Sequence, residues 1–186
     1  AAVHAMRSRI ILADDFTSDK VLGAILFERT MDSDINGKPT AQLLWEDCGV
    51  VPFLKIDKGL ADEADGVQLL KPMPELDALL AKANTKGIFG TKERSLVLEA
   101  NAKGIADVVA QQFEIARQVA AAGLVPIVEP EVHIESATKA EAEAMLEAET
   151  MKHLNGLPDD VDVILKLTIP TQAGLYDVAA DHPRVL

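Results

Sequence analysis

Five apolar segments recur along the 186 residues, each followed by a helical pattern. They are VLGAILFE (21–28), VVPFLKID (50–57), GIFGTKER (87–94), LVPIVEPE (124–131) and VILKLTIP (163–170). Strand then helix, repeated, predicts βαβ units and a parallel sheet. Between the strands, PELDALLAKAN (74–84) reads as a helix with Gly87 as its stop. The segment 104–124 is the strongest helix, with Ile105, Val108, Val109, Phe113, Ala116 and Val119 on one stripe. Another spans 138–154, starting at Ser136 or Thr138 with acidic residues in its first turn, as the helix dipole favours. A short helix is predicted at 172–180, and the opening AAVHAMRSRIIL is helical in pattern.

The later units are evenly spaced: 37 residues separate Lys92 from Glu129, and 37 separate Glu129 from Lys166. Eight such units would need on the order of 250–300 residues. This chain holds five, and HPRVL at its end has the start of a sixth. The predicted fold is α/β: a single domain over 1–186, forming the interior portion of a (β/α)8 TIM barrel, incomplete at both ends. An open doubly wound sheet is the alternative. No G-x-G-x-x-G or Walker pattern supports a nucleotide site there.

A net charge of −12 argues against nucleic-acid and membrane-surface binding, since both need a basic footprint. No apolar run reaches the roughly 20 residues of a membrane span, and the first residues lack a signal-peptide pattern. The single cysteine, Cys48, cannot form an internal disulfide, which fits a cytoplasmic protein. It reads as a small residue at a helix end. His4, His133, His153 and His182 are scattered without ligand spacing, so no metal site is predicted. The acidic stretch 139–149 reads as a solvated face, and Trp45, Phe113 and the methionines as packing residues.

One residue does not belong in its surroundings. In VDVILKLTIPT, Val163, Leu165, Leu167 and Ile169 share one face, and Ile164, Lys166 and Thr168 share the other. A lysine in a strand that is apolar on both sides is costly unless it is paired or used. The other strands repeat the arrangement. Lys55 and Asp57 follow Val51 and Phe53 on one face; Lys92 and Arg94 follow Ile88 and Gly90; Glu129 and Glu131 follow Val125 and Ile127. Each strand is apolar in its first half and charged in its second. In a β/α barrel, inward-pointing groups at the carboxyl ends of strands carry the chemistry.

Lys55, Lys92, Arg94 and Lys166 against Asp57, Glu129 and Glu131 make a locally cationic pocket in an acidic protein, which predicts an anionic, phosphorylated ligand. A lysine among cations and away from water is neutral part of the time and can attack a carbonyl to form a Schiff base. That chemistry needs carboxylates to move protons to the carbinolamine and from a substrate hydroxyl. Glu129 and Glu131 can supply them. A Lys–Glu network that only holds the barrel interior is the alternative.

LGAILFERTMD, GVVPFLKIDKGL, GIFGTKERS, QQFEIARQVAAAGLVPIVEPEV and ILKLTIP together resemble class I fructose-bisphosphate aldolase in its short bacterial form, in the family's order along the whole chain. The resemblance implies a TIM barrel that reversibly cleaves fructose 1,6-bisphosphate to dihydroxyacetone phosphate and glyceraldehyde 3-phosphate. It implies a lysine Schiff base, with no metal or other cofactor. By the resemblance Lys166 is the nucleophile, Glu129 the general acid/base and Glu131 its network partner. Lys92 helps form the carbinolamine and break the carbon–carbon bond. Arg94 lies near a substrate phosphate, with Lys55 on that side. No role is carried onto Lys58. A homo-oligomer is possible.

The family's first strand carries an aspartate, its seventh ends in a serine–glycine–glycine phosphate loop, and its eighth contributes an arginine. None has a counterpart in this sequence. The competing functions are another Schiff-base barrel, such as a transaldolase or a deoxyribose-phosphate aldolase, and a non-catalytic structural fragment with unpaired sheet edges. The V-E-P-E pair and the preceding lysine–arginine pair favour fructose bisphosphate.

Overall fold

The computed structural model describes residues 2–186. Five parallel strands run in chain order across one sheet: β1 (Gly23–Leu26), β2 (Val51–Lys55), β3 (Gly90–Val97), β4 (Val125–Val132) and β5 (Ile164–Leu165). Neighbours in the sheet are neighbours in chain order, in four parallel pairings. A doubly wound sheet would instead reverse its order at a switch point. Successive addition in one direction is how a β/α barrel is built, and the five strands form an arc of one. Val163 makes an isolated parallel bridge to Val185, which sets HPRVL alongside the start of β5.

The main helices are α1 (Ala2–Ile11), α2 (Leu76–Thr85), α3 (Ala102–Ala121) and α4 (Lys139–Leu154). The Asn101 side chain caps α3 by accepting from the Gly104 N–H at 3.0 Å. The apolar stripe predicted for 104–124 is buried, including Ile105, Val108, Phe113 and Val119. Burial on the outer face forms two clusters. Leu54, Ile56 and Ile88 pack with Leu76, Leu80 and Ala83 of α2. Val97, Val128 and Val132 pack with Phe113 of α3 and Leu146 of α4.

Several element limits differ from expectation. Strand β3 begins at Gly90 rather than 87, because Gly87 (φ 76°) ends the turn after α2 and Ile88 dives under the helices. It then runs on to Val97, where Val67–Gln68 pairs with it antiparallel. Strand β5 keeps only two of its predicted eight residues in the ladder. The helix predicted at 172–180 is confined to Asp177–Ala180. Trp45 is not a core residue: it is exposed and stacks on Phe89 at 6.3 Å between ring centroids. Cys48 closes a π-helical turn, Leu44–Cys48, before Gly49 (φ 66°), and burial pushes its thiol up.

On the concave face, the Phe53 ring lies between Gly23 and Gly90 and closes the floor at the amino-terminal end of the sheet. A Cβ on Gly90 would stand 2.1 Å from the Val125 carbonyl oxygen and 2.8 Å from the Phe53 ring. Neither the parallel ladder nor the ring can yield that far. Gly90→Ala is therefore expected to destabilise the protein by about 2–4 kcal/mol. A lower urea midpoint at unchanged slope would register this; a midpoint equal to the parent's would contradict the packing argument.

Candidate active site

Alternation along the strands sends Lys55, Lys92, Arg94, Glu129 and Glu131 to the concave face: Lys55 ends β2, Lys92 and Arg94 lie in the first and middle parts of β3, and Glu129 and Glu131 in the second half of β4. Lys55 and Lys92 are direct partners across β2 and β3, and Arg94 and Glu129 across β3 and β4. Lys166 follows β5 by one residue, and its main-chain N–H still donates to the Val128 carbonyl at 3.0 Å.

The side chains form a line of alternating charge. The Lys55 ammonium pairs with Asp57, and Asp57 Oδ2 lies 4.0 Å from Lys92 Nζ. Lys92 Nζ lies 2.6 Å from Glu129 Oε2, off the direction of a hydrogen bond, so the contact is an ion pair. Glu129 Oε1 accepts a hydrogen bond from Lys166 Nζ. Three cations and two carboxylates thus connect β2 to β5 through side chains alone. Asp57, Lys92 and Glu129 are buried, with the Glu129 side chain 6% exposed, whereas Lys166 is 52% exposed. Arg94 stands apart and pairs with Glu131 at 3.0 Å.

Exposure of Lys166 corrects the expectation of a desolvated ammonium in mid-strand. The apolar neighbours Val163 and Leu165 face the helices, while Lys166 faces the concave side, which no helix covers. What holds it is pairing with Glu129, not an apolar shell.

Sequence alone gives no role to three residues in and behind the site. Asp57, one of the acids expected in the pocket, bridges Lys55 and Lys92. Gln112 is buried on α3 and reaches the sheet: its Oε1 accepts from the Glu129 N–H at 2.7 Å, and its Nε2 donates to Ser95 Oγ. A glutamine on an otherwise apolar helical stripe was the available signal. Glu93 lies on the outer face of β3, fully buried, with no hydrogen-bond partner for either oxygen. Among the described residues, no three His, Cys, Asp or Glu side chains converge as a metal ion would require.

Burial pushes the Glu93 carboxyl well above the usual range; the Lys92 ammonium opposes this, and Asp57 and Glu129 reinforce it. The folded protein therefore keeps this proton at pH values where the unfolded chain has released it. Folding stability is intact below the unfolded carboxyl range and falls as pH rises through the interval up to the folded value. Glu93→Gln removes that loss. Its melting temperature is expected to match the parent near pH 4 and to exceed it at pH 8 by about 3 °C or more. Parallel melting curves across that range would refute the assignment.

The sequence matches the family model for class-I fructose-bisphosphate aldolase over residues 2–169. The chain belongs to the class-I fructose-bisphosphate aldolase family. The fructose-bisphosphate aldolase class 1 of Synechocystis sp. is 55% identical over 186 residues, covering 100% of this chain and 62% of that protein. The chain thus spans less than two thirds of this curated relative. Among solved structures, a fructose-bisphosphate aldolase from Plasmodium falciparum, in complex with TRAP and a small-molecule inhibitor, superposes with a TM-score of 0.74 at 23% identity. It covers 92% of this chain and 54% of its own. That likeness places the arc of strands within an aldolase TIM barrel.

Proposed function

We propose that this protein carries out the reversible aldol cleavage of fructose 1,6-bisphosphate through a Schiff base on Lys166. The observation that supports the reading best is the contact of Glu129 with two lysines from separate parts of the sheet, Lys92 on β3 and Lys166 just past β5. A carboxylate in that position serves a lysine nucleophile at each proton-transfer step.

In this scheme Lys166 passes a proton to Glu129 and its free amine adds to the ketone carbon; Glu129 returns that proton, with which the carbinolamine loses water. Glu129 then takes the proton of the substrate C4 hydroxyl as the C3–C4 bond breaks. The electron pair of that bond moves into the protonated imine and leaves an enamine. Glyceraldehyde 3-phosphate departs as the aldehyde. Protonation of the enamine and hydrolysis of the imine release dihydroxyacetone phosphate and regenerate the amine. Lys92, ion-paired to Glu129, stabilises negative charge as it develops. Glu131 holds Arg94, and Arg94 and Lys55 are the proposed contacts to substrate phosphate.

Incubation with dihydroxyacetone phosphate and borohydride, followed by peptide mass mapping, tests the reading. A single adduct on the Lys166 peptide is expected. No adduct, or one on Lys92, overturns it.

A further inference from the structure

Strand β5 leaves the main-chain ladder almost at once, so something other than the sheet must fix the position of Lys166. The last main-chain bond is the one from the Lys166 N–H to Val128. Beyond it, side chains take over. Thr168 Oγ1 accepts from the Val132 N–H at 3.0 Å and donates to the Val132 carbonyl at 2.9 Å. Further on, Glu143 Oε2 accepts from the Thr171 N–H at 2.8 Å. Lys139 Nζ donates to the Ile169 carbonyl at 2.8 Å and to Thr171 Oγ1 at 3.2 Å. Lys139 and Glu143 also pair with each other, one turn apart on α4.

We propose that Lys139 and Glu143 are positioning residues, a clamp on α4 that holds residues 169–171 and thereby sets Lys166 against Glu129. A pair at this spacing on an open helix surface contributes only a few tenths of a kcal/mol. This one is withdrawn from water: Glu143 is 0% exposed and Lys139 12%. Burying an ion pair carries a desolvation cost, and good geometry with satisfied partners is what offsets it. Here both carboxylate oxygens are satisfied, one by Lys139 and one by Thr171. Burial pushes the Glu143 carboxyl up, yet the hydrogen bonds from Lys139 and Thr171 bring it below its ordinary range, so it stays charged.

The anchor behind the clamp is firm, because Ala142 and Leu146 of α4 are packed in the core against α3. The nucleophile's own side chain has no such packing: it is half exposed and makes one polar contact, to Glu129. Its placement is inherited from the backbone, and the backbone on its carboxyl side is held by α4. A shift of about 1 Å at a reacting group can cost a hundredfold in rate.

The catalytic consequence rests on Lys166 being the imine-forming lysine; the clamp itself does not. Lys139→Met and Glu143→Gln are compared with the parent and with the conservative Lys139→Arg. In the first two, amide hydrogen exchange over residues 166–171 is expected to accelerate about tenfold, with the rest of the sheet unchanged. Trapping of dihydroxyacetone phosphate on Lys166 is expected to slow about tenfold, with the half-saturating concentration within about twofold of the parent. Lys139→Arg is expected to retain most of the parent rate.

Unchanged exchange and unchanged trapping in both variants would overturn the proposal. So would exchange that rises equally throughout the protein, which marks general loosening rather than loss of a local hold. Should Glu143→Gln fail to fold, Lys139→Met decides alone. A parent protein that forms no adduct would sink the aldolase reading, while exchange at 166–171 still decides the clamp.

Discussion

Lys166→Met is expected to abolish the borohydride-stabilised adduct and to lower fructose 1,6-bisphosphate cleavage by at least about a thousandfold. Methionine keeps an unbranched, flexible side chain as far as the Cε position and lacks the amine. Without the amine no imine forms, and the electrons of the breaking bond have no sink. The neighbouring lysines are poor substitutes. Lys92 is buried and ion-paired to Glu129 and lies at the edge of reach of Asp57; Lys55 is bound to Asp57. The fold tolerates the change, because Lys166 is half exposed and packs against no core cluster. Circular dichroism equal to the parent's, with turnover lost, is the expected pair of results. Parental turnover in the variant would end the case for Lys166.

Glu129→Gln is expected to separate the two halves of the reaction. The adduct on Lys166 should form more slowly but still be trapped, whereas cleavage should fall by about 10²–10⁴. The substituted amide can still accept a hydrogen bond from Lys166, so the lysine stays near its place. It cannot take the proton of the substrate hydroxyl, so bond breaking loses its base. Removing the carboxylate also leaves the Lys92 and Lys166 ammonium groups facing each other without the anion that joins them. An accompanying loss of stability is therefore expected, of about 1–3 kcal/mol. Cleavage within tenfold of the parent would remove Glu129 from the bond-breaking step, and trapping at the parent rate would remove it from carbinolamine dehydration.

The parallel fold was legible because burial on both faces writes a long apolar run, and such runs recur at a nearly fixed interval. The charged faces were legible too, since strict alternation assigns every second residue to one side. Three features were not. The beginning of β3 depends on where Gly87 takes its positive φ and turns the chain, and an apolar pair such as Ile88–Phe89 reads equally well as strand or as loop under a helix. The brevity of β5 arises because the Thr168 hydroxyl replaces main-chain partners, which residue type alone does not reveal. The exposure of Lys166 was hidden because its apolar neighbours were read as surrounding it, although they face the opposite side of the sheet. Gln112 and Glu93 gave a weaker but real signal: polar residues at positions whose periodicity points into the core.

The Phe53 floor, held between Gly23 and Gly90, gives the sheet two ends with different obligations to selection. At the closed end a change in volume meets rigid neighbours, and its effect is on folding. At the open end the loops leaving the five strands surround charged groups whose backbone is fixed from behind, so a change there alters what is recognised while the framework stands. Inheritance can therefore vary recognition and stability nearly independently, and a lineage of such proteins can diversify in what it accepts without first having to rebuild how it folds.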